Sequence, residues 1–550
     1  MRAKFVKTLN LNYILISLGI SMSKPTSLNS PAFWLADIKA GFIISLIALP
    51  LCLGIATASG FPPFAGLITA IVGALIVSWI GSARFTIKGP AAGLIVIALG
   101  AVVELGQGDM SKGYHQAIAV GVGAGILQLI LALARTAGLG IAMSKTVVHG
   151  MLAAIGIIIV SKQVHVALGV KPEAHEAIGL IAEIPASFID ANFVVSLIGF
   201  VSLIVLLAWP KIAFGKLKLI PAHLVVLFLA VPMAVYFGLP SDAGTQFFGS
   251  TVATGSKFMV QLPDSILDGL TFPDFSAIFS LTSIKYILMF ALVGSIESTL
   301  SVVAVDAIKE YKHPSDLNRD LFAVAVGNTI AAFLGGLPMI SEIVRSKANV
   351  DAGAQSHRAN FFHGVFLLLY VAVLTDLIQL IPLSALAAML IVTGLRLASL
   401  KEVLHANEIG KDQLFLFSLT VVVTLLTDLL MGVAAGLIAK VVFHGIRGVG
   451  PIALFKSHIS SKKQGNIWVI SISGNAAFTS LLKLKKTVAA IPDKDILVQV
   501  DVSHAKLVDH TFLSGLDVVF SVRPDLKMDI VGMDTMRAVS DHPLAVRMKV

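Results

Sequence analysis

Apolar runs long enough to cross a bilayer recur along most of this chain, and they limit what it can fold into. Hydropathy places one set near residues 38–58, 64–81, 90–106, 115–134, 146–168, 192–210 and 219–238. A polar stretch rich in Gly, Ser and Asp follows at 239–283. A second set lies near 284–305, 318–335, 341–350, 360–380, 382–398, 412–428 and 430–447. Only 13% of the 550 residues are charged, where a soluble chain carries about 25%. The fold class that follows is a polytopic α-helical membrane protein; an outer-membrane barrel would show short alternating segments instead.

The third segment of each set is broken. Residues 337–346 (LPMISEIVRS) put Pro338, Glu342 and Arg345 at mid-membrane depth, and residues 85–93 (FTIKGPAAG) do the same with Lys88, Gly89 and Pro90. Irregular backbone and charge at that depth must be buried in protein or line a cavity. An odd number of segments per set inverts the second copy. The pattern therefore predicts fourteen spans as a 7+7 inverted repeat, with broken third and tenth spans.

Helices starting at Pro90 and near Ser341 and Glu342 would aim free N–H groups at each other, each end worth about half a positive charge. The implied ligand is a small anion, held by Gly89, Pro90, Ala91, Ala92, Ser341, Glu342 and Arg345. A proline kink in an ordinary buried helix is the plainer alternative, and the duplicated break weighs against it. Arg345 adds a full charge, unless Glu342 neutralises it as an i,i+3 pair. If the two extended pieces cross, Lys88 is expected to reach Glu342 and leave Arg345 free.

Glu297 lies mid-span, where an unpaired carboxylate is a functional candidate by position. With Ser298 and Ser301 it is suited to carry a proton or to complete a Na⁺ site; a packing pair with Arg or Lys is the alternative. Asp306 reads as interfacial, His149 and His223 as satisfied core histidines, and Asn328 and Asp376 as helix-packing or capping groups. No nucleotide-binding loop, HExxH, CxxC or nucleophile elbow occurs, so neither an enzyme nor a primary pump is expected. No catalytic residue, metal site or cofactor is predicted, beyond Na⁺ or H⁺ as a coupling ion. Cys52 is the lone cysteine, which rules out an intrachain disulfide. The net charge of +9 is spread over inter-helix loops and the C-terminal region. That fits the positive-inside bias rather than nucleic-acid binding.

At the N-terminus, Arg2, Lys4 and Lys7 precede an apolar run, 13–20, too short to span, and no A-x-A-like site follows. Residues 1–30 read as a lead-in, with Met22 an alternative start, and 31–455 as the transmembrane domain. Residues 456–464 read as a polar linker, and 465–550 as a small α/β domain. In that domain, 467–473, 495–502 and 526–532 alternate like strands, while 476–491 and 511–522 read as helices.

Several motifs resemble one known family. Residues 41–67 (GFIISLIALPLCLGIATASGFPPFAGL) resemble the opening signature of SulP anion transporters. So do 87–94 (IKGPAAGL), 149–157 (HGMLAAIGI), 335–338 (GGLP) and 345–349 (RSKAN), and the tail resembles a STAS domain. The resemblance covers residues 30–550. It implies a fourteen-span fold of core and gate subdomains, usually a homodimer, with substrate between the third and tenth spans. It also implies elevator-like alternating access, with Glu297 at the coupling position. Family members move sulfate, bicarbonate, chloride or dicarboxylates, with H⁺ or Na⁺ or by exchange.

Three residues depart from the pattern. Many relatives have Ser at Lys88 and a hydroxyl residue near Ala91, and Glu342 adds negative charge beside the anion site. In the tail, 508–512 (VDHTF) lacks the aspartate–serine pattern of bacterial anti-sigma antagonists. A docking or assembly role with a cytoplasmic partner is therefore expected in place of phosphoswitching.

The reading as a whole is a secondary active anion transporter of the inner membrane with cytoplasmic termini, taking up bicarbonate or sulfate with Na⁺ or H⁺. Its partners are the anion, the lipid bilayer and a second copy of the chain. A dicarboxylate symporter or exchanger of the same family is a rival, as is a nucleobase–cation symporter, although the latter lacks a STAS-like tail. From another class, an anion channel or an anion sensor is the rival.

Overall fold

The computed structural model describes residues 31–550 except 139, 141, 142, 175, 216, 218, 219, 248, 249, 309–314, 493, 495, 521, 522, 524 and 550. The lead-in expected at 1–30 lies outside the described residues.

Every apolar segment read from the sequence coincides with a helix, from Pro31–Ala58 to Leu429–Ile446. Eight helices among the described residues are long and apolar enough to cross a bilayer. Helix starts follow local chemistry. Pro63 opens Pro63–Val72, and Asp109, Asn192, Asp316 and Asp428 accept backbone N–H bonds as caps of the helices that follow them. Two helices fall where hydropathy put no span, Ala177–Ile189 and Leu400–Ile409.

The helices pack in pairs that survive exchange of the two halves. Pro31–Ala58, first in its set, packs on Arg358–Val373, the fourth of the second set. Leu281–Ile308, first in the second set, packs on Met110–Leu133, the fourth of the first set. Lys145–Ala167 packs on Leu383–Leu397, fifth against fifth. There Gly156 and Gly394 meet backbone to backbone. A Cβ on Gly156 would lie 2.4 Å from the Gly394 carbonyl oxygen, and one on Gly394 would lie 2.7 Å from that of Gly156. Small residues at a helix crossing permit such an approach.

Between the halves, the two broken segments pair as a short antiparallel sheet, Ile87–Pro90 with Met339–Glu342. Each extended piece thus gives the other backbone partners inside the buried helical bundle. The helices that follow begin later than the sequence suggested. Pro90 is still strand and Ala91 still extended, so the first half-helix starts with a 3₁₀ turn, Ala92–Leu94, running into Ile95–Gly106. Ser341 and Glu342 are also strand, and the second half-helix is Ile343–Asp351.

The tail is a seven-stranded sheet with the helices Leu481–Ala489 and His510–Phe520. The expected linker at 456–464 is instead its first strand, Ser457–Gln464, paired along its length with Ile467–Ala476. Gly465, at φ 58°, supplies the left-handed turn between them. Strong polarity hid this edge strand, because most of its residues are exposed. Ile467–Ala476 then runs parallel to Leu497–Asp501 and Ala505–Val508.

Candidate functional site

Buried side chains hold the crossed strands in place. Thr69 Oγ1 accepts from Leu337 N at 2.7 Å and donates to Leu337 O at 3.0 Å. The Asn328 amide does the same for Met339, accepting from its N–H at 2.6 Å and donating to its carbonyl at 3.2 Å. Gln128 Oε1 takes a further bond from Asn328 Nδ2 at 2.7 Å. Asn328, a packing group on sequence grounds, is therefore a clamp on the second strand.

The expected pairing of Lys88 with Glu342 does not form. Lys88 Nζ donates to Asp320 Oδ2, Thr86 Oγ1 and Ser341 Oγ, each at 2.7 Å. The register explains the difference. Lys88 lies opposite Ser341, whereas Glu342 lies opposite Ile87, so neighbouring positions send Lys88 and Glu342 to opposite faces of the strand pair. Asp320 escaped notice because it sits in the first turn of Leu317–Phe333, where a carboxylate reads as an ordinary helix-start residue.

A cavity of about 640 Å³ opens beside the strand pair. Of the anion-site and coupling residues expected from the sequence, Ala92, Glu342, Arg345, Glu297 and Ser301 line it. Gly89, Pro90, Ala91, Ser341, Ser298 and Lys88 are not among its lining residues. Gly89 still shapes it, because a Cβ there would fall 2.5 Å from Arg345 Nη1. Arg345 is 1% exposed. Among the described residues it donates only to Cys52 Sγ and Pro90 O, both at 3.5 Å, and forms no ion pair with Glu342 or any other described carboxylate. A buried guanidinium with two long bonds lacks the partners its charge requires.

Glu297 is 7% exposed, and its Oε1 has no hydrogen-bond partner among the described residues. Its carboxylate rests on Gly93, where a Cβ would come within 2.1 Å of Oε1. No described Arg or Lys pairs with it, so the packing-pair alternative is not what the structure shows. Ser298 turns away, bonding Ser341 through its Oγ at 3.1 Å to Oγ and 3.2 Å to N. Ser301 stays with Glu297 on the cavity wall.

The histidines depart from the sequence reading. His149 is no core residue: 41% exposed at the side chain, it lines the cavity and meets Glu402 at 2.5 Å. His223 and Arg396 also line the cavity. A sequence separation of 253 between His149 and Glu402 left no local signal for that contact. Asp306 accepts from Ser315 N and Oγ at 2.7 and 2.9 Å. Asp376 is exposed, in the first turn of Thr375–Gln379.

The tail closes the far end of the cavity, where His510, Ser514 and Leu544 join its wall. Lys145 Nζ donates to Ser514 O at 2.5 Å, and Lys440 Nζ donates to Thr511 Oγ1 at 2.5 Å. Lys440 also lies 3.1 Å from Asp509 Oδ2. Burial alone would raise the Asp509 carboxyl, but Lys440 and His444 outweigh it and hold it below the usual carboxylate range. Burial pushes His510 down to about 4, against a bond from its Nδ1–H to Leu544 O at 3.1 Å.

The arrangement has relatives. The chain is 28% identical to YvdB of Bacillus subtilis, named as a candidate sulfate transporter, over 74% of this chain and 73% of that one. The transmembrane domain of the cyanobacterial bicarbonate transporter BicA superposes with a TM-score of 0.62 at 22% identity. That match covers 72% of this chain and 97% of BicA's domain. SLC26A9 superposes with a TM-score of 0.67 at 14% identity, over 96% of this chain and 89% of its own. The last two show a shared fold, and the SLC26A9 match extends through the tail. The pattern of the sulfate permease family matches residues 34–420, and the chain belongs to that family of membrane transporters.

Proposed function

We infer that this chain is a secondary active transporter that takes up bicarbonate or sulfate with Na⁺ or H⁺. The observation that carries the reading is Arg345, a buried guanidinium facing a cavity without a carboxylate partner. Two half-helices begin at the same place, and the positive ends of their dipoles favour an anion there. The names of YvdB and BicA support the substrate class.

Glu297 is the coupling group. Its unpartnered oxygen lies in the same cavity as Arg345, so a cation or proton held there offsets the anion's charge. That matters for uptake, because driving each net negative charge against a negative-inside potential costs about 2.3 kcal/mol per 100 mV. The matched packing of the two halves supports fourteen spans in a 7+7 inverted repeat, with the crossed strands at its centre. Elevator-like movement would carry the strand pair and its bound anion as one body, past a gate that includes Lys145–Ala167 and Leu383–Leu397. Inner-membrane placement with cytoplasmic termini, a homodimer, and a STAS-like tail that docks a cytoplasmic partner complete the reading.

Uptake of labelled bicarbonate and sulfate into proteoliposomes, under separate Na⁺ and H⁺ gradients, tests it. Wild-type protein should accumulate one of these anions under one gradient, and Glu297→Gln should lose the response to that gradient. Folded wild-type protein that moves neither anion would refute the reading.

A further inference from the structure

We propose that Glu342 makes this cavity a site for singly charged oxyanions and discriminates against doubly charged ones. The proposal rests on the anion-transport reading and narrows it to a substrate class.

The charges around the site can be counted. Arg345 contributes one positive charge, and the N-termini of Ala92–Leu94 (running into Ile95–Gly106) and of Ile343–Asp351 contribute about half a charge each. A site built from these alone would carry about two positive charges and would suit sulfate. Glu342 subtracts one. It occupies the N-cap position of its own half-helix, yet its side chain does not cap that helix. Its carboxylate instead faces the Ala92 N–H, the first donor of the other half-helix, and its Oε1 has no hydrogen-bond partner among the described residues. One of the two helix ends is therefore already taken by a resident anion.

Nothing nearby restores the balance. Lys88 lies on the opposite face of the strands and is neutralised by Asp320. Glu297, the other carboxylate facing the site, is compensated by its coupling cation or proton, and Cys52 is a thiol. Farther along the wall, Arg396 is exposed, Glu402 is half-exposed and hydrogen-bonded to His149, and Lys145 is bonded to Ser514 O at the end closed by the tail, so water and distance screen these charges from the strand pair. The net charge left for a ligand is about one.

Equilibrium binding of ¹⁴C-bicarbonate and ³⁵S-sulfate to the purified full-length protein, at pH 8 and constant ionic strength, tests this. Wild type should prefer bicarbonate. Glu342→Gln should move the ratio at least about tenfold toward sulfate, a modest part of what one charge does at a few ångströms inside a protein. Glu342→Asp, which keeps the charge, should retain the wild-type preference. A wild-type preference for sulfate, or an unchanged ratio in folded Glu342→Gln, would overturn the proposal and leave anion transport standing. So would loss of all binding in folded Glu342→Gln, since a group that only subtracts charge is dispensable for binding. Wild type that binds neither anion would remove the transport reading along with it.

Discussion

Lys88 Nζ lies 2.7 Å from Asp320 Oδ2, with both side chains 2% exposed, and this ion pair fastens the first crossed strand to the helix Leu317–Phe333. Thr86 and Ser341 complete the shell around the ammonium, so the pair is hydrogen-bonded as well as charge-matched.

Breaking this pair from one side should be severe. Lys88→Met or Asp320→Asn alone leaves a buried charge unpaired and should cost about 3–5 kcal/mol. Lys88→Met with Asp320→Asn, the same two changes made together, should cost well below the sum. Denaturation of the four proteins in detergent, read as a double-mutant cycle, checks the coupling.

Two glycines are expected to separate anion binding from coupling. Gly89→Ala puts a methyl 2.5 Å from Arg345 Nη1 and should weaken anion binding, because the guanidinium must move. Gly93→Ala drives a methyl into the Glu297 carboxylate and should impair gradient-driven uptake more than binding. Binding and uptake measured on both variants distinguish the two effects.

Asn328→Ala removes both bonds to Met339 and leaves a buried N–H and C=O without their partner. The expected cost is about 1–3 kcal/mol. Thermal denaturation of Asn328→Ala beside wild type in detergent measures it.

The docked tail should loosen in acid. His510 titrates near 4 when folded, against about 6.5 when unfolded. Between those values the unfolded state binds more protons, so stability is full above about 6.5 and declines as the pH falls toward 4. The loss is on the order of 3 kcal/mol at most. Asp509, also held low, contributes stability above about 3.9 that is lost only at still lower pH. Hydrogen exchange of His510–Phe520 between pH 8 and 5 should show rising exposure, and His510→Gln should flatten that response.

Much of the fold was legible because lipid imposes a strict rule. Segments without charge must be helices, and the two that broke the rule, at Pro90 and Pro338, form the crossed strands beside the cavity. Arg345 and Glu297 stood out for the same reason, since charge at that depth demands an explanation. Strand register was not legible, and it decided that Lys88 would face Asp320 instead of Glu342. Helix starts also shifted, because β-pairing extended Pro90 and Ser341 beyond where proline and polarity alone would begin a helix. His149 with Glu402, and Arg396, come together only in the folded chain, from segments with unremarkable local patterns. In the tail, Ser457–Gln464 is an edge strand whose exposed polar residues look like linker.

The central claim is that Arg345 faces the cavity to hold an anion rather than to complete a packed pair. Its most direct test is equilibrium binding of labelled bicarbonate and sulfate to purified wild type and Arg345→Gln, with the thermal stability of both recorded. Arg345→Gln should keep its fold and lose at least about tenfold in affinity, the effect of one charge-assisted contact of about 1.5–3 kcal/mol. Unchanged affinity in a folded Arg345→Gln would contradict it.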